Sequence, residues 1–177
     1  MVWARTKLVI FDNLYEPGEK DILFNYAGPH PEKFYNKIRS MMHDIFNIPV
    51  GRIQEMNYTW ETHKNTDKFN IKWRLTKEMD IYTYLRYDIV LVGSTTEGEG
   101  SASVRLKPRI ITEYPQDTLI QQSILYEMVR RFWHDTFYAK QRQKWIELGK
   151  DLASEFENTI KEYSEELRHH AHVKVQG

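Results

Sequence analysis

Residues 68–75 read KFNIKWRL, and every second side chain is apolar: Phe69, Ile71, Trp73 and Leu75 alternate with Lys68, Asn70, Lys72 and Arg74. A period of two belongs to a β-strand with one dry and one wet face, and the dry face needs a cover. The flanking segments alternate in the same way. In 53–62 Met56, Tyr58 and Trp60 alternate with Glu55, Asn57, Thr59 and Glu61; 81–92 (IYTYLRYDIVLV) and 101–114 (SASVRLKPRIITEY) follow. Folding successive segments into hairpins sets Trp60 opposite Phe69 and Tyr58 opposite Ile71. It then sets Leu75 opposite Thr83, Trp73 opposite Leu85, Leu91 opposite Ala102 and Ile89 opposite Val104. Opposed residues share a face, and all three registers leave one common dry side. Pro108 lacks a donor and is expected at an edge or a bend. GSTTEGEG (93–100) reads as a long mobile tip, and its GEG lacks the strand–loop–helix setting of a phosphate loop.

Two short strands are predicted earlier, at 6–11 and 20–27, around the turn signal Pro17-Gly18. Over 31–47 the period lengthens. Phe34, Ile38, Met41, Met42, Ile45 and Phe46 fall on one helical stripe, with Pro31 and Glu32 at its start and Pro49 and Gly51 beyond its end. From the N-cap candidate Asp117 to about Leu167 the pattern is helical and free of proline. Its first half carries a wide apolar face, from Leu119, Ile120, Ile124 and Leu125 through Met128, Val129, Phe132, Trp133 and Phe137, and is expected to cover the sheet. The polar run AKQRQK (139–144) separates it from a narrower seam of Trp145, Leu148, Leu152, Phe156, Ile160, Tyr163 and Leu167, near the helix-weakening Gly149. Arg130–Lys150 holds six basic and two acidic residues, and Asp151–Arg168 six acidic and two basic. An antiparallel partner helix would make that order complementary, so 143–167 is expected to pair with a copy of itself or with another helix, unless the charges simply face solvent.

Lysine plus arginine equals aspartate plus glutamate at 25 each, so no global field draws a polyanion, and no nucleic-acid partner is expected. The chain has no cysteine, which rules out disulfides and thiolate chemistry. No apolar run is long enough for a signal core or a membrane span, so a soluble, cytoplasmic protein is expected. Searches for nucleophile-elbow, zinc-protease, Walker and dinucleotide patterns find none, and neither a cofactor nor a metal is expected. His43-Asp44 and His134-Asp135 lie on helices, where adjacent side chains diverge. A His43–His134 pairing between helices is geometrically open, but surface histidines are the plainer reading. HHAH (169–172) reads as part of a flexible tail.

The strand leading into a proline-initiated helix (ILFNYAGPHPEKFYNKI), the hairpins of 52–114 and the helix LIQQSILYEMVRRFWHDTF together resemble the helix-grip fold of the START-like superfamily, over residues 20–138. The resemblance implies a curved antiparallel sheet around a terminal helix, with an apolar ligand held between them. The helical region is about twice as long as such a grip requires, so the chain divides into a helix-grip-like α+β domain (1–138), a helical extension that is a candidate oligomerisation segment (139–168) and a tail (169–177).

Tyr58, Trp60, Trp73, Tyr87 and Trp133 are placed facing one interior, where they either fill it or line an amphipathic cavity. Val90 and Val92, on the opposite sheet face, should also be covered. The leading expectation is a non-catalytic binding module for an apolar or amphipathic small molecule between sheet and helix. The alternative is an assembly protein with a filled core that forms a homo-oligomer through Trp145, Leu148, Leu152, Phe156, Ile160 and Tyr163. An enzyme comes third.

Overall fold

The computed structural model describes residues 9–15, 21–114, 118, 121 and 123–175. Strands β1 (Val9–Asn13), β2 (Ile22–Pro29), β3 (Ile53–His63), β4 (Thr66–Glu78), β5 (Thr83–Thr96) and β6 (Glu99–Glu113) form one open antiparallel sheet. The order runs β3–β4–β5–β6, and β1 and β2 share the far side of β6. Helix α1 (Phe34–Asp44) follows a 3-10 turn at Pro31–Lys33. A C-terminal rod comprises α2 (Ile124–Trp133), a π-helical turn (His134–Tyr138) and α3 (Ala139–Val175). This is the α+β architecture that the periodicities imply, and its element order is helix-grip-like, as the resemblance implies. Among the described residues, no helix is long and apolar enough to cross a membrane.

The β3–β4 register is the predicted one. The next two slip: Leu75 faces Tyr87 rather than Thr83, and Ile89 faces Leu106 rather than Val104. Both slips are even, so each side chain keeps its face. Turn chemistry explains the second. Strand β5 continues to Thr96 and reverses through Glu97 and Gly98, at φ 54° and 87°, a two-residue hairpin whose twist matches the strands. Most of the expected loop is therefore ladder. At the other end Asp80 Oδ1 accepts from the backbone N–H groups of Tyr82 and Thr83, each at 2.7 Å, and shapes the β4–β5 turn.

Strand β6 is central rather than an edge. Leu14 N–H donates to the Pro108 carbonyl (3.2 Å), so the backbone of Pro108 points at the gap between β1, which ends opposite Arg109, and β2, which begins opposite Leu106. The missing donor falls where no strand needs it.

The inner face of β4 and β5 (Phe69, Ile71, Trp73, Leu75; Leu85, Tyr87, Ile89, Leu91) packs with Phe34, Ile38, Met41 and Met42 of α1 and with Phe46 beyond it. The rod covers this face with its second half, not its first. Helix α3 buries Gly149, Ala153, Phe156, Ile160, Ser164 and Leu167 at spacings of three and four. A Cβ at Gly149 would lie 2.6 Å from Leu14 Cδ1 and 3.2 Å from Leu85 Cδ2, so the absent side chain sets how closely the rod approaches the sheet. The Tyr87 hydroxyl donates to the Gly149 carbonyl across this contact, at 3.3 Å.

The seam anticipated for a partner helix is used within the chain. Phe156 and Ile160 are core residues, Trp145, Leu152 and Tyr163 pack against the core, and only Leu148 of the six is exposed. The supposed extension thus belongs to the same core as the sheet, through Leu167. The helix runs on to Val175, since neither glycine nor proline follows Gly149 to stop it earlier.

Candidate functional site

The rod's first half, expected as the cover, stands with its apolar face in water. Ile124, Leu125, Met128, Val129, Phe132, Trp133 and Phe137 are 39–73 % exposed. They recur at i, i+1, i+4 and i+5, one continuous stripe along α2 and into the π turn. Helix α2 starts at Ser123, whose Oγ accepts from the Tyr126 N–H at 3.2 Å. The predicted cap Asp117 and the apolar positions Leu119 and Ile120 lie outside the described residues.

What holds the stripe outward is a polar column on the other side of the rod. Arg130, His134, Tyr138 and Arg142 follow at every fourth residue, and all four are buried against the sheet's end. Arg142 Nε donates to Thr112 Oγ1 (3.2 Å). Thr112 and Thr83 share a hydroxyl contact (2.8 Å), as do Thr83 and Tyr138 (2.6 Å), and the Tyr138 hydroxyl donates to Asp80 Oδ2 (2.6 Å). Such a chain ends on the Asp80 carboxyl oxygen and aligns every hydroxyl in one direction. Arg142 also pairs with Asp12 at 2.6 Å, and Arg130 with Glu127 at 2.5 Å, its guanidinium lying against the rings of Tyr114 and Tyr126. Two buried arginines with partners turn the rod's basic side inward. The sheet's end thus offers polar partners to the π turn and the start of α3, and of the stripe only its edge, at Val129 and Trp133, comes near the end's rings Tyr82 and Tyr114.

His134 Nδ1 shares a hydrogen bond with the Tyr114 hydroxyl at 2.6 Å. Burial, helped by the nearby Arg142 charge, lowers the pKa of His134 below 6.5, while Asp135 and Asp12 oppose this more weakly. Burial raises that of Tyr114 to about 12, so this pair is neutral at pH 7. The unfolded chain binds the histidine proton at higher pH than the folded one, so stability is full above about pH 6.5 and declines as pH falls through that value toward the folded pKa. Thermal unfolding midpoints compared at pH 7 and below 6 are expected to show this decline in the native chain. A smaller decline is expected for His134→Gln; equal declines in both would show that the histidine contributes nothing.

Beside the stripe, Tyr82, Tyr114, Tyr126, Val129, Arg130 and Trp133 line a cavity of about 210 Å³. Of the five aromatics assigned to one interior, Trp133 alone lies here. Tyr58, Trp60 and Trp73 gather around Tyr35 of α1, with ring centroids 5.7–6.2 Å from its ring. Tyr58 remains half-exposed, and Trp73 is buried with its indole N–H donating to Glu55 Oε2 (3.1 Å). Tyr87 packs at a tilt against Phe46, ring centroids 4.4 Å apart, and Phe46 meets Phe156 at 5.7 Å, so rings fill the space between α3 and the sheet. Sequence reasoning overlooked Tyr82, Tyr114 and Tyr126. Their only signal was an aromatic side chain at an element end, which is common.

No described helix covers the sheet's other face. Val92 there is 44 % exposed in a groove of about 580 Å³ whose walls include Asn25, Thr59, Lys68, Asn70 and Ser103, and no described element covers it. Next to it Arg74, Arg86 and Arg109 converge on Asp88. His43 is exposed on α1, while the ring nitrogen of His134 is engaged with Tyr114. His169 is exposed; the side chains of His170 and His172 lie outside the description. No group of three or more metal-ligating side chains occurs among the described residues. Comparison with protein-family models and with curated proteins finds no match to this chain.

Proposed function

We propose that this protein is a non-catalytic docking module that acts through the exposed apolar face of α2. The carrying observation is that face itself: seven large side chains in one row, 39–73 % exposed, on a helix whose opposite side is anchored by hydrogen bonds and ion pairs. Taking about 200 Å² for a fully exposed large side chain, the row presents on the order of 800 Å². The largest patch on a typical monomer is roughly 300–600 Å², and larger ones mark interaction sites. Docking is favoured over chemistry because His134, Tyr138 and Arg142 are committed to Tyr114, Asp80 and Thr112, which leaves Arg130, bound to Glu127 through Nη2 alone, as the polar side chain beside the stripe with buried donors that make no hydrogen bond. Kinship with START-like proteins is supported by element order alone, and the ligand such kinship implies meets an interior packed with rings. A small amphipathic ligand is the second reading, favoured by the 210 Å³ cavity beside the stripe.

The docking reading is tested with an environment-sensitive apolar dye on dilute full-length protein. Dye fluorescence is expected to rise with the native chain and to be largely lost in Leu125→Asp/Phe132→Asp, whose unfolding midpoint stays unchanged. A monomer that leaves the dye dark has its stripe covered by its own chain, and the proposal fails.

A further inference from the structure

Resting on the docking reading, we infer that the occupant of the α2 face is a second copy of this chain, the two α2 helices packing antiparallel with Arg131 of each beside Asp135 of the other. Three observations carry this. The exposed apolar area, on the order of 800 Å² per copy, equals what each partner contributes to a stable interface of standard size. The stripe lies on the side of the rod away from the polar column, so two copies approach face to face with their sheets on the outside.

The third observation is charge. Arg131 and Asp135 are both exposed, and their four-residue spacing puts them on one edge of the helix. A two-fold axis crossing the stripe, the commonest symmetry of soluble dimers, sets each beside its opposite in the partner. A parallel two-fold pair would place this edge of one copy and the same edge of the other on opposite sides of the seam, where Arg131 and Asp135 meet neither each other nor their own copies. An anionic membrane surface fits less well, because Arg130 and Arg142 face inward and are paired with Glu127 and Asp12.

Sedimentation velocity of the full-length chain over a concentration series tests the inference. A reversible dimer is expected. Phe132→Asp should weaken it by roughly thirtyfold or more, the effect of losing a central aromatic anchor, without moving the unfolding midpoint of the dilute protein. Arg131→Glu should weaken the dimer, and Arg131→Glu/Asp135→Arg should restore it. A dimer indifferent to Phe132→Asp overturns the assigned face, and one that the double exchange does not restore overturns the antiparallel arrangement. A chain that stays monomeric at every concentration overturns the second copy. If that monomer still lights the dye, the docking reading stands with another partner; if it also floats with phosphatidylcholine vesicles, the partner is a membrane surface. If it leaves the dye dark, both readings fall.

Discussion

Phe156→Ala is expected to lower the stability of the chain by about 3–5 kcal/mol, while Phe132→Ala, 24 positions earlier on the same rod, changes that of the dilute chain by no more than about 0.5 kcal/mol. Phe156 is 2 % exposed, sits against Phe46, and belongs to the seam by which α3 covers the sheet; Phe132 is 67 % exposed. Truncating the first leaves a cavity in a close-packed interior that cannot fully collapse. Truncating the second removes atoms that water already surrounds. Urea unfolding of both variants checks the contrast. Equal small effects would place residues 139–168 outside the core, as an extension held only by its own helical hydrogen bonds.

The second large effect belongs to Asp88, whose side chain is 5 % exposed on the sheet face that no described helix covers. Arg74 Nε donates to its Oδ1 at 2.8 Å, while Arg109 and Arg86 stand 3.6 and 3.8 Å from its Oδ2. Phe11 of β1 lies under both of the latter guanidinium groups, at 5.1 and 5.9 Å. Removing the shared carboxylate strands three neighbouring positive charges that are about three-quarters buried. Asp88→Asn is therefore expected to cost about 3–5 kcal/mol, the usual penalty for deleting one partner of a buried pair. Raising the salt concentration should recover part of the loss, because like-charge repulsion among partly exposed groups is screened. Denaturant unfolding at low and high salt measures both. A loss below about 1 kcal/mol, typical of surface pairs, would show that the cluster is already solvated.

The two predictions concern opposite sides of one sheet, and they differ in how visible they are from sequence. The inner face was legible in advance. Phe69, Ile71, Trp73 and Leu75 announce their burial by alternation, and the shared face survives a slip of two or four residues in register because the strand period is two. The convergence on Asp88 was not. Arg74, Asp88 and Arg109 lie on three different strands and become neighbours only through the final register.

The rod divides the same way. Its helical nature, its stripe and its distal seam follow from spacing along the chain, since side chains three and four apart share a helix face wherever the helix goes. Which stripe meets the sheet does not follow, because amphipathicity states that a face prefers cover without naming the cover. The half with the larger side chains looked the better lid, yet Gly149, Ala153 and Ser164, weak signals on any hydrophobic scale, let α3 settle closest to the sheet. The column of His134, Tyr138 and Arg142, each matched by a polar group at the sheet's end, with Arg130 lying over the Tyr114 ring, then turned α2 outward. Local periodicity, a property of the backbone's own geometry, was thus determined by the sequence alone. The choice of contact surface depends on shape and hydrogen-bond partners brought together from distant parts of the chain, and only the tertiary structure decided it.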